Sequence, residues 1–384
     1  MKKIAWALAG AMMVTSVAMA GQGVTDDTVI VGSHGDLSGP FAAFGAPAIK
    51  AAQLYFDEVN AGGGVHGRKI KFVVEDHGYQ VPKSVQAVNK LVNRDKVFAM
   101  LLSLGTPMNI ASFKVLERKD IPNVFPLSAA RQMVDGDNRL RFTSTASYYD
   151  SMRAGVGYMA DNEGASVVCS MYIPSDFGKE NQQAAVDEAK ARGLEYAAET
   201  THKPDETDYA GSVSKLKNAG CNLVTIALSV RGTISAVATA KKLGWTDVKF
   251  LGSSASFHTA IAKVPGGVTD GLFVGAGWSD LETRVADPVV AAWIESYTSA
   301  TGEEFPGTGA LLGRSGAETF VRALQAAGRD LTVESFLEAM NGLQFEDKIL
   351  GNSVKMDPKT HVGSTAIHIS RVEDGTWKVI GTVK

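Results

Sequence analysis

Six short stretches of this chain combine hydroxyls, glycines and aromatic rings in ways that could hold a small polar molecule. Ser38-Gly39-Pro40-Phe41-Ala42-Ala43-Phe44-Gly45 carries no charge and offers two rings. Ser103-Leu104-Gly105-Thr106-Pro107 runs from an apolar stretch into helix-forming sequence. The Thr106 hydroxyl and the free N–H groups of a helix start there suit a carboxylate. Leu127-Ser128-Ala129-Ala130 is a second small polar loop, and three more stretches follow later apolar runs: Ser175-Asp176-Phe177-Gly178, Ser229-Val230-Arg231-Gly232 and Ser253-Ser254-Ala255-Ser256. Taken singly, each is the kind of loop with which α/β chains turn, and Phe41, Phe44 and Phe177 could be packing residues. Their weight lies in all falling at the ends of strand-like runs.

Catalytic and metal-binding patterns find no support. Gly62-Gly63-Gly64-Val65-His66-Gly67 fits Gly-x-Gly-x-x-Gly as a string. It follows a helix and precedes a strand, the reverse of the dinucleotide-binding order, and reads as a turn. No phosphate-binding Gly-x-x-x-x-Gly-Lys-Ser/Thr and no Gly-x-Ser-x-Gly elbow occur, and Gly313-Arg314-Ser315-Gly316 lies in helical sequence. The seven histidines are scattered without ligand spacing. Asp76-His77 could be an acid/base pair, but at a strand end it reads more naturally as a surface turn. No enzyme, no metal and no cofactor is expected.

The elements that would position the loops alternate. Thr28–Ser33 is strand-like, and Pro47 is expected to open a helix with Ile49, Ala52, Phe56 and Val59 on one face. A strand through Ile70, Phe72 and Val74, a helix over 82–93, a strand over Val97–Ser103, a further helix and a strand over Asn123–Pro126 follow. This order calls for a doubly wound parallel sheet. After about residue 150 the pattern restarts, with strands at 167–173, 196–200, 223–228 and 248–252 separated by helices. Beyond Leu272 it is less regular: a strand at 271–275, helices at 288–300 and 309–327, then strand-like sequence. The ligand crevice of such sheets lies at the carboxyl ends of the strands, where the six loops fall.

Composition narrows the class. The chain has 384 residues, 45% hydrophobic and 8% aromatic, enough for two domains. Its net charge is −3 without like-charge blocks, which argues against nucleic acid or anionic membrane as partner. Lys2 and Lys3, an apolar stretch to Met19, and Ala18 and Ala20 before Gly21 have the layout of a cleaved signal peptide over residues 1–20. Export to a periplasm-like space is the expectation. There Cys169 and Cys221 could form a disulfide or stay as buried thiols; spacing alone leaves both open.

The run Gly35–Gly45, the turn Asn60–Arg68 with Val74-Glu75-Asp76, the Ser175–Gly178 loop and Thr207-Asp208-Tyr209 together resemble the leucine/isoleucine/valine-type periplasmic binding proteins of ABC importers. The likeness runs in order along essentially the whole mature chain. It implies the type I periplasmic binding protein fold, α/β with two doubly wound parallel-sheet lobes joined by a hinge that closes on ligand. The lobes would comprise 27–146 with 277–352, and 147–276 with 353–384. By resemblance Gly105 and Thr106 grip the ligand carboxylate, Ser128 and Ala129 form the second binding loop, and Phe44 and Phe177 are the aromatic walls. Ser229, Ser254 and Arg314 fall near contacts from the far lobe and a returning helix. The partners implied are a small-molecule ligand and an inner-membrane ABC permease, the chain itself being a monomer.

Departures from that pattern point to the ligand. Amino-acid binders of the family place an acid near Ser253-Ser254 to meet the ligand ammonium, and no Asp or Glu occurs between Asp247 and Asp270. Ala129-Ala130 stands where a hydroxyl is common. A buried ammonium without a carboxylate is costly. The expectation is a small carboxylate without an α-amino group, an aromatic acid being favoured. The alternatives are a branched-chain or other amino-acid binder, or a ligand sensor on the same fold.

Overall fold

A computed structural model describes residues 21–383, so the signal-peptide reading of residues 1–20 lies outside the described residues. The first sheet is built from β1 (Thr28–Gly35), β2 (Lys69–Asp76), β3 (Ala99–Leu101), β4 (Asn123–Val124) and β5 (Arg141–Phe142). All pair in parallel, in the order β2-β1-β3-β4-β5. Helices α1 (Ala42–Ala61), α2 (Val81–Asn93) and α3 (Thr106–Glu117) make the crossovers.

The expected strands over 97–103 and 123–126 are real but shorter. Leu102 has φ 57° and Phe125 φ 50°, left-handed conformations that end a strand. Helix α1 likewise starts five residues before Pro47, which lies inside it. Proline has no N–H to give the Ala43 carbonyl one turn back. His258 supplies that bond instead, its Nε2 lying 3.1 Å from the Ala43 oxygen.

The second unit runs α4 (Tyr148–Glu163), β6 (Val167–Tyr172), α5 (Asp176–Ala191), β7 (Glu195–Thr201), α6 (Ala210–Asn218), β8 (Leu223–Ala227), α7 (Val230–Lys242), β9 (Lys249–Gly252), α8 (Thr259–Ala262) and β10 (Leu272–Ala276). Buried, β-branched-rich strands such as β8 (LVTIA) make a parallel centre. Cys169 on β6 and Cys221 before β8 are joined by a disulfide with Cα atoms 5.9 Å apart, which settles the open alternative.

The remaining elements are α9 (Pro288–Thr301), α10 (Thr308–Ala327), α11 (Val333–Asn341), β11 (Gln344–Asp347), β12 (Asn352–Lys355), β13 (Ile367–Glu373) and β14 (Thr376–Val383). Here α10 and α11 return to the first sheet, where Phe320 and Phe336 pack with Phe56 and Phe98 in one core. Strands β13 and β14 instead extend the second sheet in antiparallel fashion, giving β14-β13-β10-β9-β8-β6-β7. The approach of α10 to α1 requires glycine: a Cβ on Gly313 would collide with the Ala48 carbonyl. A further apolar cluster crosses between the sheets, with Phe41, Phe44 and Leu104 from the first and Phe177, Phe257 and Trp278 from the second.

Candidate functional site

A cavity sits where the carboxyl ends of both sheets face each other. The loops and helix starts after β1, β3, β4 and β5 supply Phe41 and Phe44, Leu104 to Thr106, Pro126 to Ala129, and Thr143 to Thr145 with Tyr148. The loops after β6, β9 and β10 supply Phe177, Ser254 and Trp278, and α10 adds Leu312, Ser315 and Gly316. Its volume is about 80 Å3. That is smaller than the ~150 Å3 cavity that takes up benzene in an engineered core, so a ring-sized ligand needs the lobes to part a little.

Seven of the nine residues singled out from the sequence, Phe44, Gly105, Thr106, Ser128, Ala129, Phe177 and Ser254, line this space. Ser229 and Arg314 lie outside this lining. The Ser229 hydroxyl caps α7, accepting from the Gly232 N–H at 3.2 Å. Arg314 turns to Glu318 at 2.6 Å and lies 3.8 Å over the Tyr55 ring. Leu312, Ser315 and Gly316 take the inward face of α10, and a helix cannot turn their neighbour the same way.

The polar end is assembled by the first sheet. The Thr106 and Ser128 hydroxyls lie 2.8 Å apart, buried. Thr106 also starts α3, whose first N–H groups have no partner within the helix. Gly105 precedes it with φ 99°, and a Cβ there would press on Met108 Sδ at 2.8 Å and on the Tyr79 ring at 3.1 Å. His77 ties these parts together. Its Nδ1 accepts from the Tyr79 N–H at 3.0 Å, so its Nε2–H donates to the Leu104 carbonyl at 3.1 Å. Burial holds it below the ordinary histidine range and hence neutral. His77 is therefore neither a base nor a surface residue, whereas Asp76 does organise a turn, accepting from the Leu37 and Gly78 N–H groups and the Ser38 hydroxyl.

Tyr79, Tyr148 and Trp278 are among the lining residues that the sequence does not single out. Tyr79 is itself left-handed, φ 58°, and its ring lies tilted against Phe41 with centroids 4.4 Å apart. Tyr148 opens α4 and meets Phe177 edge-on at 5.1 Å. Burial pushes the Tyr148 phenol up to about 12 and Tyr79 higher still, so both stay neutral O–H donors at physiological pH. A capping serine before Tyr148 was the available signal; Trp278, on a crossover, had none.

The lining includes no Asp, Glu, Lys, Arg or His side chain. Such a site can hold a compact anion by O–H and N–H donors and shelter an apolar body between rings, but it offers no carboxylate to a cation. Among the described residues no group of three or more His, Cys, Asp or Glu could hold a metal ion, and no helix is long and apolar enough to cross a membrane.

Known proteins with this architecture are numerous. A fatty acid ABC transporter substrate-binding protein from Thermomonospora curvata superposes with a TM-score of 0.83 at 25% identity, covering 94% of this chain and 93% of that one. An ABC transporter solute-binding protein from R. palustris, solved with benzoate, gives 0.82 at 18% identity over 92% and 96%. By sequence, the leucine-, isoleucine-, valine-, threonine- and alanine-binding protein of Pseudomonas aeruginosa is 20% identical over 83% of this chain and 84% of its own length. The profile of the periplasmic binding protein family matches residues 28–376, and the chain belongs to that family.

Proposed function

We propose that this chain is the exported, monomeric substrate-binding component of an ABC importer, and that it captures a small carboxylate without an α-amino group, an aromatic acid above all. The lobes proposed are 27–146 with 277–352, and 147–276 with 353–384; the ligand is bound between them and released unchanged to the permease. One observation carries the ligand class: the cavity lining joins hydroxyls to rings and has no charged side chain. The ligand carboxylate is read as resting on Thr106, Ser128 and the start of α3, with Tyr79 and Tyr148 as further donors. Its body then lies between Phe44 and Phe177, with Ala129 and Ser254 against it. An α-ammonium in that space would be left without a counter-charge, at a cost of several kcal/mol.

The second reading, a branched-chain amino-acid binder, draws on the names of relatives such as the Pseudomonas aeruginosa protein. A thermal-shift panel of benzoate, 4-hydroxybenzoate, octanoate and leucine separates the two. A ligand at ~100 times its dissociation constant adds about 2.7 kcal/mol of stability. The proposal expects that shift from an aromatic acid and none from leucine; the reverse result would replace it with the second reading.

A further inference from the structure

Glu180 belongs to α5, on the second sheet's side of the cleft, yet it holds backbone on the other side. Its two carboxylate oxygens accept from the Arg131 N–H at 3.0 and 3.2 Å. Arg131 directly follows Ser128-Ala129-Ala130, the loop at the polar end of the cavity. Its Nε is 3.3 Å from the same carboxylate, but the side chain is 44% exposed and its guanidinium is stacked 3.6 Å over Tyr149, while the Glu180 side chain is 2% exposed. The acid is thus buried and its counter-charge is largely in water.

We propose that Glu180 is a positioning residue for ligand capture: it grips the Ser128–Arg131 loop when the cleft closes, and closure takes up a proton at its carboxyl. This rests on the reading of the cleft as the ligand site. Burial pushes the Glu180 carboxyl up to about 7, the opposing pull of Arg131 being weakened by solvent. With the lobes apart the side chain returns to water and to the ordinary glutamate value near ~4.3. A group whose value is higher in the closed state favours closure in its protonated form. Ligand binding therefore tightens as pH falls from about 7 towards ~5, by up to about tenfold per unit, and is flat above that window. A protonated carboxyl keeps a carbonyl oxygen with which to accept the Arg131 N–H.

The groups facing Glu180 leave it as the titrating member. From α4 come the Tyr149 N–H and the neutral Tyr148 phenol. Arg153 is engaged by Glu188 at 2.8 Å, and the Tyr149 hydroxyl by Asp187 at 2.7 Å. Its own helix also carries Asp176, in the first turn. Among the described residues α3 places no titratable group within hydrogen-bond reach of it.

Calorimetric titration with the panel acid that gives the largest melting shift, at pH 6.5 in phosphate and in imidazole buffer, counts the protons exchanged on binding. The wild type is expected to take up roughly three quarters of a proton, as a value of about 7 closed and ~4.3 open requires. Glu180→Gln, whose amide oxygen still accepts the Arg131 N–H, should bind the acid with near-zero uptake and an affinity flat between pH 6 and 8; its melting temperature without ligand checks that it is folded. Binding with no uptake in the wild type, or with uptake kept in the variant, overturns this inference and leaves the ligand reading standing. A panel without any binder overturns the ligand reading, and this inference with it.

Discussion

The two sheets meet at one cavity but are built in opposite ways. Every cavity-lining residue with positive φ belongs to the first: Tyr79, Leu102, Gly105 and Phe125. Such conformations cost of order 1–3 kcal/mol each outside glycine and persist only where surrounding structure enforces them. At Tyr79 the enforcement is buried and polar, and a buried acid orders the loop beside it. Asp36 accepts from the Gly39 and Phe41 N–H groups at 2.6 and 2.7 Å, and His77 braces Tyr79 against Leu104, with His34 5.4 Å away. The second sheet offers its Phe177, Ser254 and Trp278 without left-handed backbone, and two of its parallel strands are tied by the disulfide. Strained backbone thus shapes the polar end, and ordinary strand-end geometry suffices for the apolar one.

If that contrast is real, the two regions should fail under different stresses. The largest effect is expected from the disulfide, which closes a loop of 52 residues. Replacing both Cys169 and Cys221 by Ser should cost about 4 kcal/mol in the chain-entropy account. Denaturant unfolding gives the magnitude, and hydrogen exchange should place the loss in β6 to β9. A loss spread evenly over both sheets would erase the distinction.

Acid should act on the other side. Burial pushes His34 down to about 3, so the native state keeps it neutral while the unfolded chain protonates below the ordinary histidine value of 6.5. The stability it contributes is present above pH 6.5 and lost as pH falls towards 3, on the order of 3 kcal/mol by pH 4. Hydrogen exchange at pH 4.5 should show β1 and α3 opening before β8; the reverse order would break the comparison.

Smaller effects are expected at the cavity itself. Thr106→Ala should weaken an acid ligand by ~1.5–3 kcal/mol, the worth of a hydrogen bond to a charged group. Unchanged affinity by calorimetry would remove Thr106 from the polar end. The smallest effect belongs to Arg314→Ala. It loses one ion pair and a cation–π contact, on the order of 1–2 kcal/mol of stability, with no change in ligand affinity. A clear loss of affinity would put its side chain back in the cleft.

What the sequence made legible follows the same division. Alternating strands and helices, the Gly62-Gly63-Gly64 turn and the loops carrying Phe44, Thr106, Ser128 and Phe177 were all readable, because pattern and turn chemistry are local. Left-handed Leu102 and Phe125 were not, since apolar residues there look like strand continuing. The early start of α1 was hidden because the partner of its freed Ala43 carbonyl, His258, is 215 residues away. Helical phase alone puts Arg314 off the face that Leu312 and Ser315 share. Ser229 carried a recognisable capping pattern with Gly232 three residues on.

A crystal structure of the protein with the best-binding panel acid decides where the ligand sits. Its carboxylate is expected within hydrogen-bond distance of the Thr106 and Ser128 hydroxyls, with its body between Phe44 and Phe177 and no charged side chain touching it. A ligand bound outside this cavity, or one whose ammonium sits there against an acidic side chain, would contradict the proposed reading.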